Sequence, residues 1–334
     1  MTFNSIGDLA QGFALRRQNT LLNQQMSRLS QELTSGLTSD VSDHLKGNLF
    51  QLADIQHRLK LNESFERGAA QGRVETAVMQ TALETAQGAA SALSAVALAF
   101  GSGTGVSDVG VFAGEARSQF SQVVIALNAD VGGRVLFGGD QVTRAPLPSA
   151  DEFLTAVQTA VAGAASAADV NTALDAFFDP GGDFETLIYQ GGNTARGAYQ
   201  LGDGDTVVLD LRADAQAFRN AFKQMARTAV LDDPGVTLTL ADQYALASQT
   251  GEALLGTKDQ LTIIRGDLGF AEAQIDRAAT RIAAEQSSLA LVQSDLLAVD
   301  PFEKATELET VQLRLETLYT ITSRMSRLNL VNFL

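Results

Sequence analysis

"SRLSQELTSGLTSDVSDHLKG", residues 27–47, decides how this chain is read. It looks like a helix that stops on Gly36, turns through a polar stretch and starts again. Upstream of the break, Leu22, Met26, Leu29 and Leu33 step by four, three and four residues, the spacing of one apolar stripe on a helix. Downstream, Leu45, Leu49, Leu52, Ile55 and Leu59 resume it. The first 36 or so residues therefore form an amphipathic helix set apart from the rest of the chain, and its stripe needs a partner outside the neighbouring sequence.

The other end of the chain repeats the pattern in reverse. In "AVDPFEKATELE", residues 298–309, Asp300 suits an N-cap, Pro301 the first helical position and Glu303 the reciprocal capping partner. A new helix starts there, with a stripe of Leu308, Val311, Leu315, Leu318, Met325 and Leu328. At about 1.5 Å per residue, each terminal helix spans roughly 45–50 Å. Isolated helices with an unmatched apolar stripe are marginal in water. The simplest burial is against each other and against the same helices of neighbouring copies. Leu22, Met26, Leu29, Leu33, Leu308, Val311, Leu315, Leu318, Met325 and Leu328 are therefore the expected subunit-assembly interface.

Between the breaks the sequence is mostly helical. All five prolines lie at or beyond Pro146, so nothing before that position obliges a helix to stop. Val74, Val78, Ala82, Ala89, Leu93, Val96 and Phe100 continue a stripe as far as the glycine-rich "GSGTGVSDVG" (101–110). A second helix carries Phe120, Val124 and Leu127 and ends near Gly132–Gly133, forming an antiparallel pair with the first. The texture changes after "GGRVLFGGD" (132–140). "DEFLTAVQTAVAGA" (151–164) reads as a helix, and "TLIYQGGNTARGAYQLGDGDTVVLDL" (186–211) as a three-strand antiparallel meander with Gly-rich turns. Helical spacing resumes at Leu240 and carries Ile263, Leu268, Ile275, Ile282, Leu289 and Val292. The expected fold is mainly α, an elongated rod of long coiled-coil helices formed by both chain ends, with a small α+β insertion domain. The expected division is 1–40 with 300–334, 41–140 with 231–299, and an insertion of 141–230.

Charge matches the same division. The net charge is −15, which argues against a nucleic-acid partner and against anionic membrane surfaces. Residues 1–40 balance Asp8, Glu32 and Asp40 with Arg16, Arg17 and Arg28. Residues 301–334 balance Glu303, Glu307, Glu309 and Glu316 with Lys304, Arg314, Arg324 and Arg327. The whole excess falls in 41–300, so the ends can crowd together while the middle stays solvated and repels its copies. The longest apolar run, "AASALSAVALAFG", falls short of a membrane span. The start "MTFNSIGDLAQGF" has no basic, apolar and cleavable pattern of a general secretory signal. Cysteine is absent, which removes disulfide and thiolate chemistry and suits a chain exported unfolded.

Catalytic, cofactor and metal patterns are lacking. His44 and His57 are the only histidines and have no carboxylate at metal-ligand spacing. "GSGTGV" lacks the full dinucleotide and phosphate-loop signatures. "GDGD" (202–205) is one turn rather than a repeated calcium loop. The residues predict no enzyme and no cofactor.

The arrangement resembles the bacterial flagellin superfamily. Arg28, Leu29, Ser35, Gly36 and Leu37 match the turn that joins its N-terminal helix to the rod, although the Asn- and Asp-rich run found just after it in filament flagellins is missing. "GGRVLFGGD", with Val135 in place of an aromatic, "YQGGNTARGAYQLGDGDTVVLDL" and the ending "SRMSRLNLVNFL" resemble instead the hook-associated branch, which forms the hook–filament junction. The resemblance implies a flagellin-like rod and a structural role with no enzyme activity. It implies assembly with itself and with adjacent hook-associated and flagellin subunits. It further implies export through the flagellar type III channel under a dedicated export chaperone, and an extracellular place in the flagellum. A filament flagellin, and an intracellular coiled-coil adaptor with a β-containing binding domain, are the alternative readings.

Overall fold

The computed structural model describes residues 6–103 and 108–331, with side chains described at 10–103 and 108–324. The described elements run α1 (Ile6–Ser35), α2 (Val41–His44), α3 (Phe50–Gly101), α4 (Val109–Leu127), a hairpin of β1 (Asp130–Val131) and β2 (Arg134–Val135), α5 (Ala150–Val161) and α6 (Ala167–Phe178). After a single π-helical turn (Phe184–Ile188) come a hairpin of β3 (Tyr199–Gln200) and β4 (Thr206–Val207), then α7 (Gln216–Ala229), α8 (Leu240–Leu297) and α9 (Pro301–Val331). The fold is mainly α, as the stripes predict. The chain divides into two compact units, 1–62 with 284–334, and 63–283.

Local chemistry sets the helix ends. Gly36, at φ 71°, takes the left-handed position that closes α1, and its amide reaches the Glu32 carbonyl. Asp40 caps α2 and Asp108 caps α4 through their side chains. Ser149 and Glu152 form a reciprocal capping box on α5. Thr239 and Asp242 exchange the same pair of bonds at the start of α8, and hydrogen bonds led by the one from the Thr239 hydroxyl hold the Asp242 carboxyl below its usual range. Pro301 opens α9, with the Asp300 carboxylate accepting from the Phe302 amide at 2.8 Å.

Unit 63–283 is organised around phenylalanine. Phe153 lies 4.8 Å from Phe120 and 5.1 Å from Phe222, ring centre to ring centre, and Phe178 and Phe184 close around it. Phe120 is on α4, Phe153 on α5 and Phe222 on α7, so residues 141–230 share one apolar core with α3, α4 and α8. The boundary expected near residue 140 is therefore not a break between cores. Ring pairs of this kind add about 0.5–1.5 kcal/mol each beyond their burial, which explains why α7 packs on α4 rather than within a separate lobe.

The meander expected over 186–211 does not form. Residues 184–188 make the π turn, and only Tyr199–Gln200 and Thr206–Val207 pair, through the turn at 202–205. The residues between are held by side chains instead. The Glu75 carboxylate on α3 accepts from Arg196 at 2.9 Å, from Gln71 at 2.9 Å and from the Tyr199 hydroxyl. Glu75, Arg196 and Tyr199 are all buried. The backbone comes so close to α3 that a Cβ on Gly68 would stand 2.7 Å from the Gln200 carbonyl oxygen. Burial, reinforced by the bond to Glu75, pushes the Tyr199 phenol above its usual range.

"GGRVLFGGD" is neither a helix end nor a linker. α4 stops at Leu127, and Gly132 and Gly133, both at positive φ, turn the β1–β2 hairpin. Leu136 and Phe137 are then fully buried. The Phe137 carbonyl accepts from Ala213 and the Gly138 carbonyl from Gly192, so this short segment ties two distant loops to one point.

Candidate assembly surface of the terminal helices

α1 and α9 pack on each other antiparallel within unit 1–62 with 284–334. Leu22, Leu29, Val311 and Leu315 form a buried cluster, with Met26 and Leu308 packed against it. Leu29 is the deepest, at 1 % exposure, and Leu318 is also buried. Leu33 is half-buried. The side chains of Met325 and Leu328 lie outside the described residues. Eight of the ten residues singled out by the sequence thus have a described place, and seven of them line the inside of one chain's helix pair. Each buried Leu contributes about 1.5–3 kcal/mol, and the stripes find this partner first because both belong to one chain.

The surface left over is a second, outward set. On α1 it comprises Phe13 and Leu21. On α9 it comprises Phe302, Leu313, Tyr319 and Ile321, with exposures from 45 % at Ile321 to 83 % at Phe302. Sequence reading missed these because each lies off the stripe of three- and four-residue steps that marks the inner faces. The signal was present in the doubled "LL" at 21–22, where only one of two adjacent leucines can face a given partner.

A polar junction joins the two linkers at the inner end of the pair. Leu37 and Ala298 form an antiparallel bridge. The Thr38 amide donates to the Leu297 carbonyl at 2.9 Å, and the Val299 amide to the Gly36 carbonyl at 3.0 Å. Beside the bridge, the Glu32 carboxylate is 3 % exposed. It accepts from the Ser39 amide at 2.9 Å and lies 3.9 Å from the Lys304 ammonium. Lys304 also meets Glu307 at 3.0 Å, and that bond raises the lysine's pKa against the opposing effect of burial. Arg28 and Asp40 approach to 3.7 Å across a polar hollow of about 180 Å³.

Among the described residues no three His, Cys, Asp or Glu side chains converge as a metal site, and His44 and His57 are exposed on separate helices. Residues 202–205 turn the β3–β4 hairpin, with Asp205 paired to Arg281 at 2.7 Å. The loop 104–107, part of "GSGTGV", lies outside the described residues. No described helix is long and apolar enough to cross a membrane.

Comparison with known proteins agrees with this anatomy. The family model for the bacterial flagellin C-terminal helical region matches residues 252–334, which hold the C-terminal part of α8 and all of α9. The fold is similar to the crystal structure of FlgL from Bacillus cereus, at TM-score 0.51 and 16 % identity, over 71 % of this chain and 96 % of that one. It is also similar to a putative flagellar hook-associated protein from Vibrio parahaemolyticus, at TM-score 0.50 and 12 % identity, over 75 % and 99 %. No curated protein matches.

Proposed function

We propose that this chain is a non-enzymatic structural subunit of the bacterial flagellum, of the hook-associated protein 3 kind, joining hook to filament. The observation that carries the reading is the α1–α9 pair. Both ends of one chain fold back on each other, leave six large apolar side chains exposed among the described residues, and fall partly in a stretch that matches the flagellin C-terminal helical region. The fold likeness to two hook-associated proteins favours the junction over the filament.

In this account residues 1–40 with 300–334 form the inner tube of the assembly. Residues 41–140 with 231–299 form a rod, and 141–230 face outward. The partners are other copies of the chain, the adjacent hook-associated and flagellin subunits, and a cytoplasmic export chaperone that guards the apolar ends until passage through the flagellar type III channel. The terminal helices, neutral in sum, crowd together, while the acidic remainder keeps copies apart at the surface.

A deletion strain tests the reading. Cells lacking the chain should keep hooks, lose filaments and release filament subunits into the medium. Normal filaments in that strain would overturn the junction role. Loss of filaments with no subunits released would favour a filament flagellin.

A further inference from the structure

We propose that α6, α7 and α8 hold a small monovalent anion, of the chloride kind, against the buried Arg227 guanidinium. The inference stands apart from the proposed function and does not rest on it.

A few contacts fix which residues meet. The Ala167 amide donates to the Asp242 carboxylate at 3.1 Å, and the Asn171 side-chain amide to Gln249 at 2.9 Å, so α6 runs parallel to the first turns of α8. α7 ends at Ala229 and α8 begins at Leu240, yet Asn220 lies 2.8 Å from Gln260, so these two helices are antiparallel. α6 and α7 are therefore antiparallel as well, and Lys223 pairs with Asp175 between them. One turn further along α7 comes Arg227, and one turn back along α6 comes Asn171. The two come level, with Gln249 and Thr250 of α8 within about one turn of them.

Charge does not balance at this level. Lys223 and Arg227 have one carboxylate between them, Asp175, and Lys223 holds it. Arg227 is 7 % exposed and forms no ion pair among the described residues. It donates to the Gln224 side-chain oxygen at 2.5 Å. Burial lowers its pKa, with the Asp175 charge acting in the opposite direction. A buried cation is costly unless a counter-charge joins it. Two bases against one acid leave an excess of one, which a monovalent anion cancels.

The free polar atoms fall in the same place. Asn171 Oδ1, Arg227 Nε, Thr228 Oγ1 and Thr250 Oγ1 are four of the eight buried side-chain atoms that lack a partner among the described residues. The Arg227 Nε–H and the hydroxyls can donate to an anion. Turning the Asn171 and Gln249 amides together keeps their mutual bond, with Gln249 as donor, and offers Asn171 Nδ2 as a further donor. Water would satisfy the hydroxyls and leave the guanidinium charge uncompensated. The Asp175 side chain is 51 % exposed, which opens the cluster to solvent on that side. In a chain of net charge −15, attraction for an anion has to be local.

Urea unfolding of the full-length chain tests the site, with sodium chloride replacing sodium gluconate, a bulkier anion, at fixed ionic strength. The midpoint should rise and level off. At a chloride concentration about ten times that of half-saturation, the unfolding equilibrium constant should fall about tenfold. Arg227→Met should abolish this response, and crystals of the parent soaked in bromide should show an anomalous peak within hydrogen-bond distance of Arg227 Nε. Equal midpoints in the two salts overturn the proposal, as does a response that Arg227→Met retains. If that variant does not fold, the parent decides. A levelling response with bromide at Arg227 supports the site, and bromide absent there overturns it.

Discussion

Leu37 and Ala298 lie on opposite linkers, 261 positions apart, and form a single antiparallel bridge. The two chain ends leave the helices α1 and α8 at this bridge and are registered on one another before the α1–α9 seam begins. Gly36, at φ 71°, sits immediately before the bridge and supplies the carbonyl for Val299.

Gly36→Ala should therefore weaken the bridge. A left-handed conformation costs a residue with Cβ about 1 kcal/mol, with the open space around Gly36 adding no clash. Hydrogen exchange should rise about fivefold at Thr38 and Val299 while amides in 63–283 keep their protection. Unchanged exchange at both positions would show that the bridge contributes nothing to the register.

The α1–α9 seam rests on few side chains, so truncating one should be felt. Leu29→Ala should destabilise the helix pair by about 2–5 kcal/mol. Leu315→Asp should unzip it, since the carboxylate would enter a site only 5 % exposed. Limited proteolysis should then cut within 36–40 and 297–300 and leave a resistant fragment containing 63–283. A variant that resists protease as the parent does, and still enters flagella, would remove that seam from the assembly account.

Glu75 and Arg196 form a buried pair, and breaking it should cost more than replacing it. Glu75→Leu leaves a buried guanidinium whose Nε and Nη1 already lack partners. The expected loss is about 3–5 kcal/mol in urea unfolding. The double variant Glu75→Leu with Arg196→Met should recover most of that loss. Equal destabilisation in the single and double variants would mean that packing, not charge, holds the 189–207 segment on α3.

Alkaline pH should destabilise the fold through the tyrosines. Burial raises the pKa of Tyr189 and Tyr199 in the folded chain, so both remain protonated where an unfolded phenol, at about 10, begins to ionise. Their contribution is complete below about pH 10 and is lost as pH rises toward the folded-state values. Lys304, also raised, acts in the same direction. The urea midpoint should be flat from pH 7 to about 9.5 and fall above it, with Tyr199→Phe reducing the late phenolate absorbance. A fall that begins near pH 8 would contradict this assignment.

Much of the architecture was legible in the sequence because it depends on local spacing. Gly36, Asp300 and Pro301 punctuate the terminal helices, and the leucine stripes at three- and four-residue steps mark their inner faces. The Gly-rich turns that suggested a three-strand meander at 186–211 mark only one hairpin, since Tyr199 and Arg196 are held by Glu75, a residue more than 120 positions upstream that no local pattern can reveal. The α5–α7 helices share a core with α4 for the same reason: Phe120, Phe153 and Phe222 meet only in the folded chain. As for the candidate surface, a single stripe per helix was visible, and the structure assigns it to the inside of the pair. The outward set, Leu21 and Leu313 among it, escaped notice because it lies off the leucine stripes that mark the inner faces.

The central claim is that this chain occupies a junction. Immunogold electron microscopy of isolated hook–filament complexes, with antibody raised against an exposed epitope in 141–230, tests it most directly. The account predicts gold in one narrow band at the distal end of the hook. Gold along the whole filament, or none on the flagellum with the protein retained in the cytoplasm, would contradict it.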